Sequence, residues 1–303
     1  MKVIVTGATG LVGKALVRSL LSKGHEVTRL VRGDAQAFRA PGSSAAHWDP
    51  EKGTIDAGAL EGHDTAVHLA GESVASGRWD EEKKRRILDS RVKGTRLLAE
   101  TLAGLGKKPR VLVSASATGF YGDRGEEVLR EESASGDDFL AGVCREWEKA
   151  TLAASQSGIR VVHMRIGIVL AGEGGALQKM LTPFKMGVGG RLGSGRQYMS
   201  WIALEDLVGA IEHAMTDEKL HGPVNAVAPR AVTNEEFTKT LGGVLGRPTI
   251  FPVPAFALRL AVGEMAEVLL GGQRVEPARL RESGYQFKQP ELEGALRAVL
   301  RKS

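Results

Sequence analysis

Three glycines at a spacing of three, Gly7, Gly10 and Gly13, constrain this chain more than any other feature. They follow the apolar run Val3 to Val5 and precede residues 11–23, where leucine and alanine recur at helical spacing. A tight turn needs glycine at its first position, a second glycine lets a ligand approach the backbone, and a third lets the helix sit close to the strand. The pattern therefore predicts a strand, a tight turn and a helix at the start of a parallel α/β sheet.

The same turn predicts a binding site for a dinucleotide. Free amide groups at the start of a helix face phosphate oxygens, and a glycine triplet between strand and helix is typical of pyrophosphate binding. An ordinary tight turn is the alternative. A Walker A loop is excluded because Ala8 and Ala15 stand at the positions of its first glycine and its Ser/Thr. The predicted cofactor contacts in the turn are Gly7, Thr9, Gly10, Leu11, Val12 and Gly13.

The end of the second predicted strand favours NADP(H) over NAD(H). An acid at this position takes the ribose 2′-hydroxyl of NAD, whereas a cation takes the 2′-phosphate of NADP. Here Val31 and Arg32 end the strand, and Asp34 comes only after Gly33. An exposed arginine at a strand end is the alternative interpretation. We predict that Val31 and Arg32 contact the adenosine end of NADP(H).

Alternation of short β-branched runs with helical segments predicts an α/β fold, a Rossmann-type doubly wound parallel sheet with a small, mostly helical C-terminal domain. The first domain is expected to span residues 1–230, with glycine-rich loops at 170–200 reaching toward a second domain at 231–303. Predicted strands are Lys2 to Thr6, His25 to Val31, Thr65 to Leu69, Arg110 to Ser114, Arg160 to Ile166 and Val224 to Val227. Predicted helices are Leu11 to Lys23, Asp80 to Leu105, Asp138 to Ser155 and Leu204 to Met215.

Charge and cysteine content narrow the classes of partner. The net charge is +5, but the 41 basic and 36 acidic residues are interspersed, so we expect no nucleic acid partner. A single cysteine, Cys144, excludes an internal disulfide and a cysteine-based metal site, which favours the cytoplasm. No stretch approaches the length of a membrane span. We expect no metal and no membrane partner, and the oligomeric state is not readable.

Three motifs occur together in this chain: Gly7 to Gly13 (GATGLVG), His68 to Gly71 (HLAG) and Ser114 to Gly122 (SASATGFYG). Together they resemble the extended short-chain dehydrogenase/reductase superfamily. Further stretches are Ser90-Arg91, Arg165 to Leu170 (RIGIVL), Gly189 to Gly195 (GGRLGSG), Trp201-Ile202 and Gln273 to Pro277 (QRVEP). These are similar to the atypical "epimerase family protein" subgroup, which carries a C-terminal domain of unknown function.

The resemblance implies further cofactor contacts. It places Leu69, Ala70 and Gly71 along the adenosine side of the cofactor, with His68 as a strand-end residue. Arg91 stands where the superfamily motif begins with asparagine, and it is expected to contact cofactor phosphate or ribose. The loop at 167–169 corresponds to the one near the nicotinamide, where Val169 is expected to make backbone contacts.

The catalytic pattern of the superfamily is broken in this chain. Typical members use a tyrosine four residues before a lysine, together with a Ser/Thr. Alignment places Leu140 and Cys144 at the tyrosine and lysine positions, and only Ser116 matches. Tyr121 either takes over the tyrosine's role or lines the site, and Cys144 is either a nucleophile or a small buried residue.

Two functions remain open at this stage. The first is an NADP(H)-dependent oxidoreductase or nucleoside-sugar-epimerase-like enzyme of unknown substrate, with Ser116 and Tyr121 as candidate catalytic residues. The second is a non-catalytic NADP(H)-binding regulatory or scaffold protein that acts on a protein partner, since the Tyr/Lys pair is replaced by Leu140 and Cys144. Whether the chain is an enzyme depends on which of these holds.

Overall fold

A computed structural model of the protein describes residues 1–33 and 41–301, so Asp34 lies outside the described residues. The strands are β1 (Lys2–Thr6), β2 (Glu26–Val31), β3 (Ser43–Asp49), β4 (Thr54–Ile55), β5 (Thr65–His68), β6 (Val111–Ala117), β7 (Val128–Leu129), β8 (Arg160–Ile166), β9 (Ile168–Leu170), β10 (Tyr198–Met199), β11 (Trp201–Ala203), β12 (Gly222–Ala226), β13 (Val232–Thr233) and β14 (Arg274–Val275). The α-helices are α1 (Leu11–Ser22), α2 (Glu81–Gly104), α3 (Phe139–Lys149), α4 (Leu152–Gln156), α5 (Gly175–Lys185), α6 (Leu204–Thr216), α7 (Asn234–Leu245), α8 (Ala255–Val262), α9 (Met265–Leu270), α10 (Ala278–Glu282) and α11 (Leu292–Arg301).

The central sheet has eight strands in the order β12-β8-β6-β5-β1-β2-β3-β4. All pairs are parallel except β3 with β4. The chain moves outward from β1 in one direction through β2 and β3, and in the other through β5, β6 and β8. This reversal beside β1 is the switch point at which doubly wound sheets bind ligands. The predicted fold class is confirmed.

Strand β1 shows how the sheet divides the core into two layers. Successive side chains of a strand point to opposite faces. Val3 and Val5 pack with Leu16 of α1 and with α6, whereas Ile4 packs with Leu98 of α2 on the opposite face. Burial of each such side chain stabilises the fold by about 1.5–3 kcal/mol. The near-continuous apolar run of β1 therefore holds a helix on each side and fixes the turn that follows it.

Several predicted element boundaries were wrong. Strand β6 continues to Ala117, so Ser116 lies within the strand rather than after it. The helix predicted at 138–155 is two helices, since α3 ends at Lys149 and the Thr151 hydroxyl donates to the Glu148 carbonyl at the break. Strand β3 was not predicted, because its sequence SSAAHWD lacks a β-branched run. Part of the glycine-rich region forms α5, which begins at Gly175.

The residues after 230 pack on the sheet and beside it. Leu280 of α10 belongs to the buried cluster of the sheet, whereas Phe237 of α7 and Leu296 of α11 form a separate buried cluster with Trp201 of β11. The buried Asp206 carboxylate accepts the backbone amides of Lys288 at 2.7 Å and Gln289 at 2.9 Å. Among the described residues, none of the helices combines the length and apolarity needed to cross a membrane.

Candidate functional site

The glycine turn closes tightly against its neighbours. Gly7 has φ +65°, and a Cβ there would lie 2.7 Å from the carbonyl carbon of Leu69. A Cβ on Gly13 would lie 2.1 Å from the Gly7 carbonyl oxygen. Both distances are far inside van der Waals contact, so neither position tolerates a side chain without backbone movement. The turn therefore brings the start of α1 against β1 and against the loop after β5.

Helix α1 begins with its amides free of any side-chain cap. Gly10 is its N-cap residue, and no acidic residue stands in its first turn. Helices α2, α3 and α7 are capped by Asp80, Asp138 and Thr233, whereas α5 and α8 start without a side-chain cap, as α1 does. Among the helices of the described residues, only α1 combines this with a glycine turn at the carboxyl end of a strand of the central sheet. Unpaired N–H groups at a helix start attract an anion, and the positive end of the helix dipole adds to the attraction. The glycine cradle and the uncapped start of α1 fit the pyrophosphate of a dinucleotide.

A buried chain of hydrogen bonds orders the loop Leu69 to Gly71. Thr6 Oγ1 accepts the amides of Leu69 and Ala70 and lies 2.8 Å from His68 Nδ1. Because Thr6 Oγ1 already accepts two amides, its own hydrogen goes to Nδ1, and His68 Nε2 donates to Thr95 at 2.9 Å. Complete burial lowers the pKa of His68 to about 4. His68 is thus neutral, and both of its nitrogens are in use.

The remaining predicted cofactor contacts lie around the same edge of the sheet. Val31 is buried at the end of β2, and Arg32 follows it with an exposed side chain. Thr9 and Gly10 are exposed at the turn, while Leu11 and Val12 are half-buried. Val169 lies on β9, where it pairs with Ile202 of β11.

Arg91 on α2 stands next to Gly71. Its Nη1 donates to the carbonyls of Glu72 at 3.0 Å and Ile87 at 3.1 Å. Its guanidinium lies 4.9 Å from the centre of the Trp147 ring. Burial lowers the pKa of Arg91. The guanidinium is therefore held in place by backbone and ring contacts, and it backs the loop predicted to face the adenosine.

Ser116 belongs to a buried polar network. Its hydroxyl donates to Glu148 Oε1 at 2.7 Å. Arg165, beside Ser116 on the neighbouring strand β8, donates to both Glu148 oxygens, with Nε at 2.8 Å and Nη2 at 3.0 Å. Burial alone would lower the pKa of Arg165, but its contact with Glu148 outweighs this and raises it. Glu148 thus accepts from both Arg165 and Ser116 and fixes the direction of the Ser116 hydroxyl.

Tyr121 lies deeper in the same network. Its hydroxyl is fully buried, donates to Asn225 Oδ1 at 2.7 Å and accepts from Arg165 Nη1 at 3.0 Å. Burial raises the pKa of Tyr121 above its usual value. Hydrogen bonds link Ser116 to Tyr121 through Glu148 and Arg165, but the phenol lies in the protein interior rather than at an open surface.

Leu140 and Cys144, which the resemblance aligns with the tyrosine and the lysine, lie one turn apart on α3. Leu140 packs against Gly119, where an added Cβ would lie 3.5 Å from the Leu140 Cβ. Cys144 is buried, and its thiol contacts the Ala117 carbonyl at 3.8 Å. Burial raises the pKa of Cys144 to about 12. A thiol that stays protonated is not a nucleophile, so the structure supports the interpretation of Cys144 as a packing residue.

Sequence reasoning missed the buried pair of Glu148 and Arg165. The available signal was an arginine inside the largely apolar strand β8 and an acid one turn after Cys144 on α3. Neither position alone indicates a pair, because 17 residues separate them along the chain. Nothing in residues 1–33 and 41–301 forms a group of three or more His, Cys, Asp or Glu side chains that could hold a metal ion.

Comparison with known proteins gives two family matches along the chain. Residues 3–227 match the NAD dependent epimerase/dehydratase family, and residues 253–299 match a domain of unknown function, DUF1731. Epimerase family protein Mb2239 of Mycobacterium bovis is 45% identical over 287 residues, which cover 94% of this chain and 93% of the relative. The chloroplastic homolog of epimerase family protein SDR39U1 from Arabidopsis thaliana is 41% identical over 308 residues, with coverage of 99% and 87%.

Among solved structures, the chain is similar to the crystal structure of human epimerase family protein SDR39U1 (isoform2) with NADPH. The TM-score is 0.90, the identity is 36%, and the similarity covers 100% of both chains.

Proposed function

The chain belongs to the NAD dependent epimerase/dehydratase family and carries a C-terminal DUF1731 domain, and we propose that it is an NADP(H)-dependent oxidoreductase or nucleoside-sugar-epimerase-like enzyme acting on a small molecule. The observation that carries this proposal is the uncapped start of α1 behind the cradle of Gly7 and Gly13. It is supported by the similarity to a human protein whose structure contains NADPH.

The residues that would hold the cofactor follow from the geometry. The amides of Thr9, Leu11, Val12 and Gly13 would face the pyrophosphate, since that of Gly10 donates to the Gly7 carbonyl at 2.9 Å. Arg32 would pair with the 2′-phosphate. Leu69 to Gly71, backed by Arg91, would line the adenosine, and Val169 would lie near the nicotinamide. When bound, the nicotinamide supplies or accepts the hydride.

The proton at the reacting site would be handled by Ser116. Because its hydroxyl donates to Glu148, its lone pairs point away from that carboxylate and can accept a hydrogen bond from a substrate hydroxyl. Rotation of the hydroxyl away from Glu148 would instead let Ser116 donate to a substrate carbonyl. In the oxidation direction Ser116 would take the substrate proton and pass its own to the Glu148 carboxylate, which Arg165 holds in place, and in the reduction direction that proton would return along the same path.

Cofactor titration tests the binding half of the proposal. We expect NADPH and NADP⁺ to bind the cofactor-free protein at least about tenfold tighter than NADH and NAD⁺, a gap of about 1.4 kcal/mol. Arg32→Ala should remove this preference, whereas Arg96→Ala, an exposed arginine on α2, should leave it intact. Tryptophan fluorescence and the melting temperature report binding. If no dinucleotide bound at all, the glycine turn would have only the structural role of connecting β1 to α1.

Turnover tests the catalytic half. A panel of carbonyl compounds, alcohols and nucleoside-diphosphate sugars would be screened with the tighter cofactor by absorbance at the NADPH band and by product analysis. We expect turnover that Ser116→Ala lowers by about 10²-fold or more, the usual range for a proton-transfer group. Turnover that persists in Ser116→Ala would remove this residue from the reaction.

A second candidate function has its own observation in favour. Leu140 and Cys144 offer neither a proton nor a cation, and the Tyr121 hydroxyl is already engaged inside the protein. A non-catalytic NADP(H)-binding protein that presents a surface to a protein partner would need none of these groups. Tight NADPH binding without turnover across the panel would favour it, and any cofactor-dependent turnover lost in Ser116→Ala would exclude it.

We further propose the cytoplasm as the compartment, on the basis of the single cysteine. The Arabidopsis relative is named chloroplastic, so imaging of the tagged protein in its own host would test this part. No nucleic acid partner is proposed, because the basic and acidic residues are interspersed along the chain.

A further inference from the structure

Large apolar side chains are exposed together in one part of the molecule. Most of the large hydrophobic side chains that stand exposed in the described residues belong to two segments, around residue 187 and between residues 250 and 268. We call them the apolar patch: Met186, Val188, Ile250, Phe251, Phe256, Leu260 and Val268. Phe256 and Leu260 are 74% and 78% exposed, so they protrude from α8 rather than line a groove.

The two segments of the patch lie side by side. The Gly193 amide donates to the Val253 carbonyl at 2.9 Å, and the Val253 amide donates to the Arg191 carbonyl at 2.8 Å. A Cβ on Gly190 would lie 1.6 Å from the Phe251 carbonyl oxygen, so the two backbones are in close contact there. Helix α8 follows directly and packs on α9. The exposed side chains therefore share one continuous surface.

This surface is basic as well as apolar. Residues 175–192 and 246–268, which span the patch, together contain five Lys or Arg residues and two Glu. Both acids are paired, Glu264 with Lys84 and Glu267 with Arg259, so Arg259 adds no free charge. Within the part of the chain that the structure describes, neither Lys185 nor Arg247 has a side-chain partner. A surface that carries negative charge would therefore complement the patch.

We propose that the apolar patch docks this protein on an anionic lipid surface. Protruding phenyl and isobutyl groups insert among acyl chains, and a rim of lysine and arginine pairs with acidic headgroups. A twofold contact between two copies of the chain would bring each patch against its own duplicate, so cations would face cations. The patch thus fits a flat negative surface better than a second copy of itself.

The proposal departs from the expectation of no membrane partner. That expectation rested on the lack of an apolar stretch long enough to span a bilayer. Surface docking needs no span, since a short amphipathic helix lies in the plane of the headgroups. The exposure of the patch is a property of the fold that the sequence pattern alone does not contain.

Vesicle co-sedimentation of the full chain tests the proposal. The probes are phosphatidylcholine vesicles with and without about one-third phosphatidylserine or phosphatidylglycerol. We expect the wild type to sediment with the anionic vesicles only, and salt to weaken binding by screening. The double variant Phe256→Ser, Leu260→Ser should bind the anionic vesicles at least about tenfold more weakly than the wild type. Lys185→Gln and Arg247→Gln should each weaken binding about fivefold. Leu152→Ser, which changes a 51% exposed leucine on α4, should bind like the wild type.

Size-exclusion chromatography with light scattering is run on the same variants. A wild type that ignores anionic vesicles but forms a dimer, which the Phe256/Leu260 variant dissociates, would overturn the proposal and assign the patch to self-association. A wild type that ignores vesicles and is monomeric would overturn it as well. An unchanged melting temperature in the double variant, expected for exposed positions, separates loss of docking from loss of folding.

Discussion

The turn at Gly7 to Gly13 and the network around Ser116 occupy the same edge of one sheet, yet they are built in different ways. The turn consists of backbone, with glycines that no other residue can replace and amides that no side chain caps. The network consists of side chains, and its partners come from α3, β8 and β12. A phosphate site made of backbone groups persists when the neighbouring side chains change. A site made of side chains depends on each of them, so replacement of the Tyr/Lys pair by Leu140 and Cys144 removes the usual chemistry of the superfamily.

The largest expected effect comes from breaking the network while leaving the turn intact. In Glu148→Gln, Arg165 keeps its charge in a site where its side chain is 4% exposed. The free energy of unfolding should fall by about 3–5 kcal/mol, the cost of leaving one member of a buried ion pair unpaired. Urea unfolding measures this loss.

Affinity for NADPH should change less than about threefold in Glu148→Gln. Glu146→Gln, which changes an exposed acid on the same helix, is the matched control for both measurements. Parallel loss of stability and cofactor affinity would show that the turn and the network form one energetic unit.

Lowering the pH should destabilise the folded protein through His68, which belongs to the hydrogen-bond chain that orders the loop Leu69 to Gly71. Its folded-state pKa of about 4 lies below the usual 6.5, so the unfolded chain takes up a proton first as the pH falls. The stabilisation is fully present above pH 6.5 and is lost as the pH falls from 6.5 toward 4. The loss amounts to about 3 kcal/mol at 1.36 kcal/mol per pKa unit.

Unfolding curves measured from pH 7.5 to 4 check this dependence. His68→Gln should flatten it, whereas His47→Gln, at an exposed position, should not. Burial also lowers the pKa of His163. This residue should account for part of the loss of stability at low pH that remains in His68→Gln. An unchanged slope in His68→Gln would show that His68 is not the group responsible.

Gly13→Ala tests the turn directly. The added methyl carbon would lie 2.1 Å from the Gly7 carbonyl oxygen, so the start of α1 must shift away from the phosphate position. We expect NADPH affinity to fall about 100-fold, or about 2.7 kcal/mol, by isothermal titration. Gly104→Ala, which adds a methyl to α2 with no atom within 4 Å, serves as control. Equal affinities in the two variants would contradict a steric role for Gly13.

The smallest effect should come from Cys144. Its pKa of about 12 keeps the thiol protonated, so an aromatic disulfide reagent at pH 8 should react only as the chain unfolds. Cys144→Ala should cost about 1 kcal/mol or less of stability and leave NADPH affinity unchanged. Stoichiometric labelling of the native protein within minutes would instead reveal a reactive thiol.

The sequence predicted those parts of the fold that local pattern determines. Strands β1 and β8 match their predicted bounds, α1 ends one residue earlier than predicted, and α2 is one residue shorter at each end. Apolar runs bounded by glycine carry this information locally. Strand β3 was missed because it forms only by pairing with β2, and the break between α3 and α4 depends on Thr151, which also contacts His163 of β8.

The candidate site was predictable only in part, as the fold was. The turn follows from three glycines that lie within seven residues. The network does not, because Ser116, Glu148 and Arg165 meet only after two strands and a helix have packed. Burial of the Tyr121 hydroxyl likewise depends on Asn225, 104 residues further along the chain. Contacts between residues so far apart in the sequence do not change the local hydrophobic periodicity, so the sequence pattern does not reveal them.

Chain order gives the C-terminal packing a consequence for synthesis. The cluster around Trp201 is completed by Leu296, and the buried Asp206 carboxylate receives its amides from Lys288 and Gln289. A ribosome delivers Asp206 well before these partners, at about 5–20 residues per second. For several seconds the half-made protein holds an unpaired carboxylate and an open apolar face. A nascent chain halted near residue 230 should therefore recruit chaperones, and release should come only when the last helix arrives.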